Sequence, residues 1–95
     1  MNLEELRKFK PQIEEFADKY GVKNIRVFGS VVNGDANDES DVDFLIEMED
    51  GRSGFDMGGF YENTKNLINK EIDVVTANMI HKNIRREILK RAEPL

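Results

Sequence analysis

Three short runs rich in β-branched and aromatic residues, Ile25-Arg26-Val27-Phe28, Val42-Asp43-Phe44-Leu45-Ile46 and Glu71-Ile72-Asp73-Val74-Val75-Thr76, most constrain what this chain can become. Each is of strand length and bounded by turn formers, the first by Gly29 and the second by Glu49-Asp50-Gly51. The segments around them carry a helical period. Leu6, Phe9, Ile13, Phe16, Ala17 and Tyr20 recur at steps of three and four, and Gly21 is a natural stop. Pro11 inside that stretch removes a donor and clashes with the previous turn, so a short lead-in followed by a helix from about Pro11 to Lys19 is expected. Phe60, Tyr61, Thr64, Leu67 and Ile68 predict a second helix. Met79, Ile80, Ile84, Ile88 and Leu89 predict a last one ending before Pro94. The resulting order of helix, strand, strand, helix, strand, helix predicts an α/β (α+β) arrangement, a small mixed sheet of about three strands flanked by helices.

At 95 residues the chain has room for one core, so a single domain over 1–95 is expected. Stability should be modest and open to reinforcement by a partner. With no cysteine and no apolar N-terminal run, a membrane span and export are not expected, and the expected location is cytoplasmic. Fourteen Lys and Arg against 19 Asp and Glu give a net charge of −5, the wrong sign for general nucleic-acid binding through phosphate neutralisation. The charge is also uneven. Asp35 to Asp50 is heavily acidic, whereas the end of the chain carries Lys82, Arg85, Arg86, Lys90 and Arg91.

The chemistry concentrates between Gly29 and Asp43, where a Gly-Ser turn stands ten residues ahead of an Asp-x-Asp pair. A glycine at a strand end lets backbone approach a ligand closely. A serine opening a helical turn offers its hydroxyl and N–H groups to a phosphate. Asp41 and Asp43, two apart on a strand, would project from one face and converge on a hard cation, with Val42, Phe44 and Ile46 turned to the core. Two such carboxylates without a cation repel. Asp73 interrupts an apolar strand, where an uncompensated buried charge is costly, so it is expected to share the cation or accept a proton. Each piece alone also fits an ordinary acidic turn or a surface position. A calcium loop beginning at Asp35 fails at its sixth and twelfth places, Ser40 and Ile46. No lysine-bearing phosphate loop or dinucleotide fingerprint is present.

Taken together, Val27-Phe28-Gly29-Ser30, Ser40-Asp41-Val42-Asp43-Phe44-Leu45-Ile46, Ile72-Asp73-Val74-Val75-Thr76 and the tail Ile84-Arg85-Arg86-Glu87-Ile88-Leu89 resemble the DNA-polymerase-β-like nucleotidyltransferase superfamily. In particular the chain looks like the minimal nucleotidyltransferase antitoxins, the partners of HEPN-domain ribonuclease toxins. The resemblance implies that fold. It also implies Asp41, Asp43 and Asp73 as catalytic residues and ligands of Mg²⁺ (or Mn²⁺), and Gly29 with Ser30 as the nucleotide-binding turn. ATP would be the substrate, and AMP would pass to a hydroxyl of the partner protein. One departure stands out. Family members usually carry arginines shortly after the Gly-Ser pair, whereas this chain has Val31 and Asn33 at the matching places and keeps Gly34. Neutral side chains there remove charge that would hold a triphosphate.

Three functions therefore compete. An enzyme adenylylating its toxin is favoured by the three aspartates. A binding module that neutralises the toxin by occupation alone is favoured by Val31 and Asn33. A transferase acting on a small molecule normally needs an added substrate domain. His81 reads as a surface residue and Phe60 as core. Arg52 to Gly59, with three of the seven glycines, reads as mobile at its start. Association with itself or a partner is expected through the Arg52–Phe60 segment or the basic last helix.

Overall fold

In the computed structural model, which describes residues 1–95, Pro11 does divide the first helical stretch. α1 spans Leu3–Arg7 and α2 spans Lys10–Tyr20, with the proline in the first turn of α2, where its missing N–H costs nothing. Asn2 caps α1 by accepting from Glu5 N–H at 2.8 Å, and Gly21, at φ 72°, ends α2 in the left-handed conformation. There follow β1 (Val22–Phe28), the one-turn α3 (Ser30–Asn33), β2 (Val42–Met48), α4 (Gly54–Ile68), β3 (Ile72–Val75), a 3₁₀ turn (Ala77–Met79), α5 (Lys82–Arg91) and β4 (Glu93–Pro94).

The sheet order is β3-β2-β1-β4. β1 runs antiparallel to β2 and β4, and β2 runs parallel to β3, with α4 as the crossover that a parallel pair requires. The fourth strand is an addition to the three expected. It is two residues long and sits at a sheet edge, where Pro94 is tolerated. Arg7 fixes it, donating from Nε to Leu95 O at 3.1 Å and from Nη2 to Pro94 O at 2.6 Å.

Strand alternation gives the sheet two unlike faces. Val27, Val42, Phe44, Ile46, Ile72 and Val74 enter one cluster with Leu6, Ile13, Ala17 and Phe60, beneath α2 and α4. Phe44 and Phe60 meet edge to face at 6.4 Å. The second face takes the intervening residues. Leu45 and Ile80 are buried there outside the main cluster, where the 3₁₀ turn packs on β2 and contacts α5. β2, central in the sheet, is thus covered on both sides at Leu45.

Two expectations about extent need correction. The glycine-bearing segment before Phe60 is helical from Gly54, because Ser53 and Asp56 form a capping box that satisfies the first turn. The last helix begins at Lys82 instead of Met79. Met79 and Ile80 belong to the 3₁₀ turn and its end, and His81 caps α5 by accepting from Asn83 N–H at 3.2 Å. No helix is long and apolar enough to cross a membrane.

Candidate active site

The second face of the sheet carries the acidic residues. Asp43 is the second residue of β2 and stands opposite Phe28 on β1 and opposite Asp73 on β3. Parallel pairing at identical register is what brings two aspartates 30 positions apart in sequence side by side. Burial, the negative charge of Asp73, a hydrogen bond with Asp73 and the charge of Asp41 together push the Asp43 carboxyl up to about 6. Asp43 is half-buried and Asp73 is exposed.

This corrects two sequence expectations. The buried charge on this face is Asp43, because the outer strand leaves Asp73 in solvent. Asp41 precedes β2 and is exposed on the loop, so strand alternation does not fix its direction. Its charge reaches Asp43, but no three acidic, histidine or cysteine side chains stand in the arrangement of a closed metal site.

Gly29 closes the other side of the aspartate pair. Its backbone, at φ 76° and ψ −150°, is in a region essentially confined to glycine, and a Cβ there would overlap Asp43 Oδ2. Backbone and carboxylate thus touch only because residue 29 has no side chain. Ser30 opens α3, and Gly29 O accepts from Val32 N–H at 3.1 Å and from Asn33 N–H at 2.9 Å. The two positions noted for their lack of arginine differ sharply. Val31 is 5% exposed and part of the core, whereas Asn33 is exposed beside the site.

Asn33 also lines a cavity of about 360 Å³ with Phe28, Gly29, Glu87, Ile88 and Arg91. The cavity lies between the end of β1 and α5, and Gly29 joins it to Asp43. Glu87, Ile88 and Arg91 went unnoticed as site residues, since the basic last helix read as a surface for association. A second cavity of about 310 Å³, between α2 and the start of β1, includes neither Gly29 nor any of Asp41, Asp43 and Asp73.

The donor chemistry fits a hard divalent cation. Burial and the charges of Asp73 and Asp41 disfavour the ionised form of Asp43, and an oxygen-liganded dication would relieve that repulsion. Asp43 and Asp73 are the residues that would supply paired oxygens to such an ion.

Comparison with known proteins gives the family. The family model of the nucleotidyltransferase domain matches residues 9–95. A candidate protein adenylyltransferase of Methanocaldococcus jannaschii is 33% identical over 92 residues, covering 97% of this chain and 96% of that protein. The protein adenylyltransferase MntA of Thermococcus cleftensis is 31% identical, covering 81% of this chain and 78% of its own. A solved structure of a candidate minimal nucleotidyltransferase superposes with a TM-score of 0.86 at 32% identity, over 100% of this chain and 97% of that one. A toxin–antitoxin complex with AMP-PNP shares the fold at a TM-score of 0.71 and 14% identity, over 90% of this chain and 70% of that one. The chain belongs to the nucleotidyltransferase domain family, in its minimal form.

Proposed function

We propose that residues 1–95 form one catalytic domain that transfers AMP from ATP to a hydroxyl of a partner protein, and that the partner is a HEPN-type ribonuclease toxin. The observation that carries this reading is the Asp43–Asp73 pair held against the side-chain-free backbone of Gly29. Relatives named as protein adenylyltransferases support the acceptor class. A fold relative solved as a toxin–antitoxin complex supports the setting.

In this reading Asp41, Asp43 and Asp73 hold Mg²⁺ or Mn²⁺, which when bound neutralises phosphate charge and stabilises the entering and leaving oxygens. Asp43, loaded, is a carboxylate and has given up its proton. Asp73, exposed and open to an acceptor, is placed to take the proton of the attacking hydroxyl. Gly29 allows the triphosphate to approach the backbone, and Ser30 offers its hydroxyl to the phosphates. The acceptor surface is absent from so small a fold and comes from the partner.

The test is intact-mass analysis of the chain mixed with its native partner, ATP and Mg²⁺ or Mn²⁺. A gain of one AMP on the partner, absent with Asp43→Asn, is expected. A second reading, neutralisation by occupation alone, is favoured by the uncharged Val31 and Asn33. It takes over if the toxin is blocked with no mass shift under either metal.

A further inference from the structure

The cavity between β1 and α5 holds one cation. Arg91 lines it, and so do Gly29 and Asn33. Arg91 pairs along its own helix in an exposed i,i+4 contact. Its Nε donates to Glu87 Oε1 at 2.8 Å, one turn earlier on α5. A guanidinium has five N–H donors in a planar fork, and this bond uses only the Nε edge. No other hydrogen bond engages the Arg91 side chain, so both Nη groups remain free of protein partners. Phe28 and Ile88 give the same cavity apolar walls, and its volume of about 360 Å³ lies at the lower end of the range of small-molecule sites.

The neighbouring cations do not share this position. Arg85 donates to Ile80 O at 3.0 Å, and neither Lys90 nor Arg86 lines the cavity. Asp43, on the other side of Gly29, marks where the reacting phosphate would stand if the nucleotidyltransferase reading holds. A planar fork held by a carboxylate suits bidentate contact with phosphate oxygens better than a mobile ammonium would.

Resting on that reading, we infer that Arg91, oriented by Glu87, is the triphosphate-contacting cation of this chain, supplied from α5 to the cavity that Gly29 and Asn33 also line. Glu87 is a positioning residue. The nucleotide therefore bridges the Gly29 turn and the last helix.

Calorimetric titration of the full chain with ATP and with inorganic tripolyphosphate, each with Mg²⁺, tests this. Arg91→Gln should weaken both ligands about 10-fold or more, the loss of one charge-assisted fork. Arg86→Gln, which removes the same charge from the same helix outside the cavity, should leave both within about twofold. Asn33→Arg added to Arg91→Gln should restore ATP affinity to within about threefold, since both side chains line one cavity. Arg91→Lys should fall between wild type and Arg91→Gln. Unchanged binding by Arg91→Gln overturns the inference, and so do equal losses in Arg91→Gln and Arg86→Gln, which would indicate long-range charge alone. A loss for ATP without one for tripolyphosphate overturns the phosphate contact. If folded wild-type chain binds neither ligand with Mg²⁺ or Mn²⁺, the nucleotidyltransferase reading fails as well, an outcome distinct from wild-type binding that Arg91→Gln leaves intact.

Discussion

Asp43 and Asp73 occupy opposed positions on the parallel strands β2 and β3, and burial together with the charge of the second pushes the carboxyl of the first up to about 6. The consequence for folding is a pH dependence of definite sign. The folded Asp43 titrates at about 6 and an unfolded aspartate near 3.9, so the native state binds more protons between those values. The stabilisation by proton uptake is complete below about pH 4 and is lost as pH rises through 6. Asp43→Asn removes that loss. In EDTA the variant should be more stable than wild type at pH 7.5 by about 1–2 kcal/mol, after discounting for solvent reaching the pair from the Asp73 side. It should also show a flatter profile between pH 4 and 7. Urea unfolding at pH 5 and pH 7.5 measures both, and a less stable variant at pH 7.5 would mark Asp43 as a structural residue.

The same crowding predicts the response to a dication. Mg²⁺ or Mn²⁺ that binds only the folded chain should raise the melting temperature of wild type, by about 2.7 kcal/mol of added stability at 100 times Kd. The gain should disappear in Asp43→Asn and in Asp73→Asn, and shrink in Asp41→Asn, because Asp41 reaches the pair from an exposed loop. Thermal scans with increasing metal at constant ionic strength read this out. Equal gains in wild type and Asp43→Asn would show the ion to be bound elsewhere.

Gly29 and Gly34 offer a matched pair of backbone tests. Both have positive φ, 76° and 85°, but a Cβ at residue 29 meets Asp43 Oδ2 whereas one at residue 34 meets nothing within 4 Å. Gly34→Ala should cost about 1 kcal/mol of stability, the left-handed penalty alone. Gly29→Ala should cost about 2–4 kcal/mol and should weaken metal-dependent stabilisation, since Asp43 must move. In a double-mutant cycle Gly29→Ala with Asp43→Ala should cost less than the sum of the single changes. Additive losses would mean that the two residues do not press on each other.

Much of this arrangement is legible in sequence because it is local. The runs rich in β-branched and aromatic residues at Val42–Ile46 and Ile72–Val75, the stop at Gly21 and the proline that opens α2 all act within a few residues. The Gly-Ser and Asp-x-Asp spacing located the site because one turn and one strand start carry it. What escaped depends on register or long-range packing. Nothing near Asp73 reveals that β3 is an outer strand and that the side chain is exposed, because pairing partners decide it. Arg91 reaches Gly29 across about sixty residues of chain, and its own neighbourhood reads as a basic helix end. The start of α4 was different. Ser53 and Asp56 carried a capping signal that the adjacent glycines obscured.

The two positions without arginine should respond in opposite ways. Val31 is 5% exposed and packs in the cluster with Val27 and Val42, so Val31→Arg places an uncompensated charge at the edge of the core. A loss of about 2–4 kcal/mol is expected, less if the guanidinium snorkels past Gly34 into water. Asn33 is exposed on the last residue of α3, and Asn33→Arg should change stability by less than about 0.5 kcal/mol. In steady-state assays with the partner present, Asn33→Arg should lower the apparent KM for ATP several-fold with kcat little changed, the pattern of added uniform binding. Val31→Arg should not improve KM, because the residue that supplies core packing at α3 cannot also reach the phosphates. If Val31→Arg instead folds with wild-type stability and tightens ATP binding, α3 turns in solution to present residue 31 to the site, and the core assignment of Val31 is wrong.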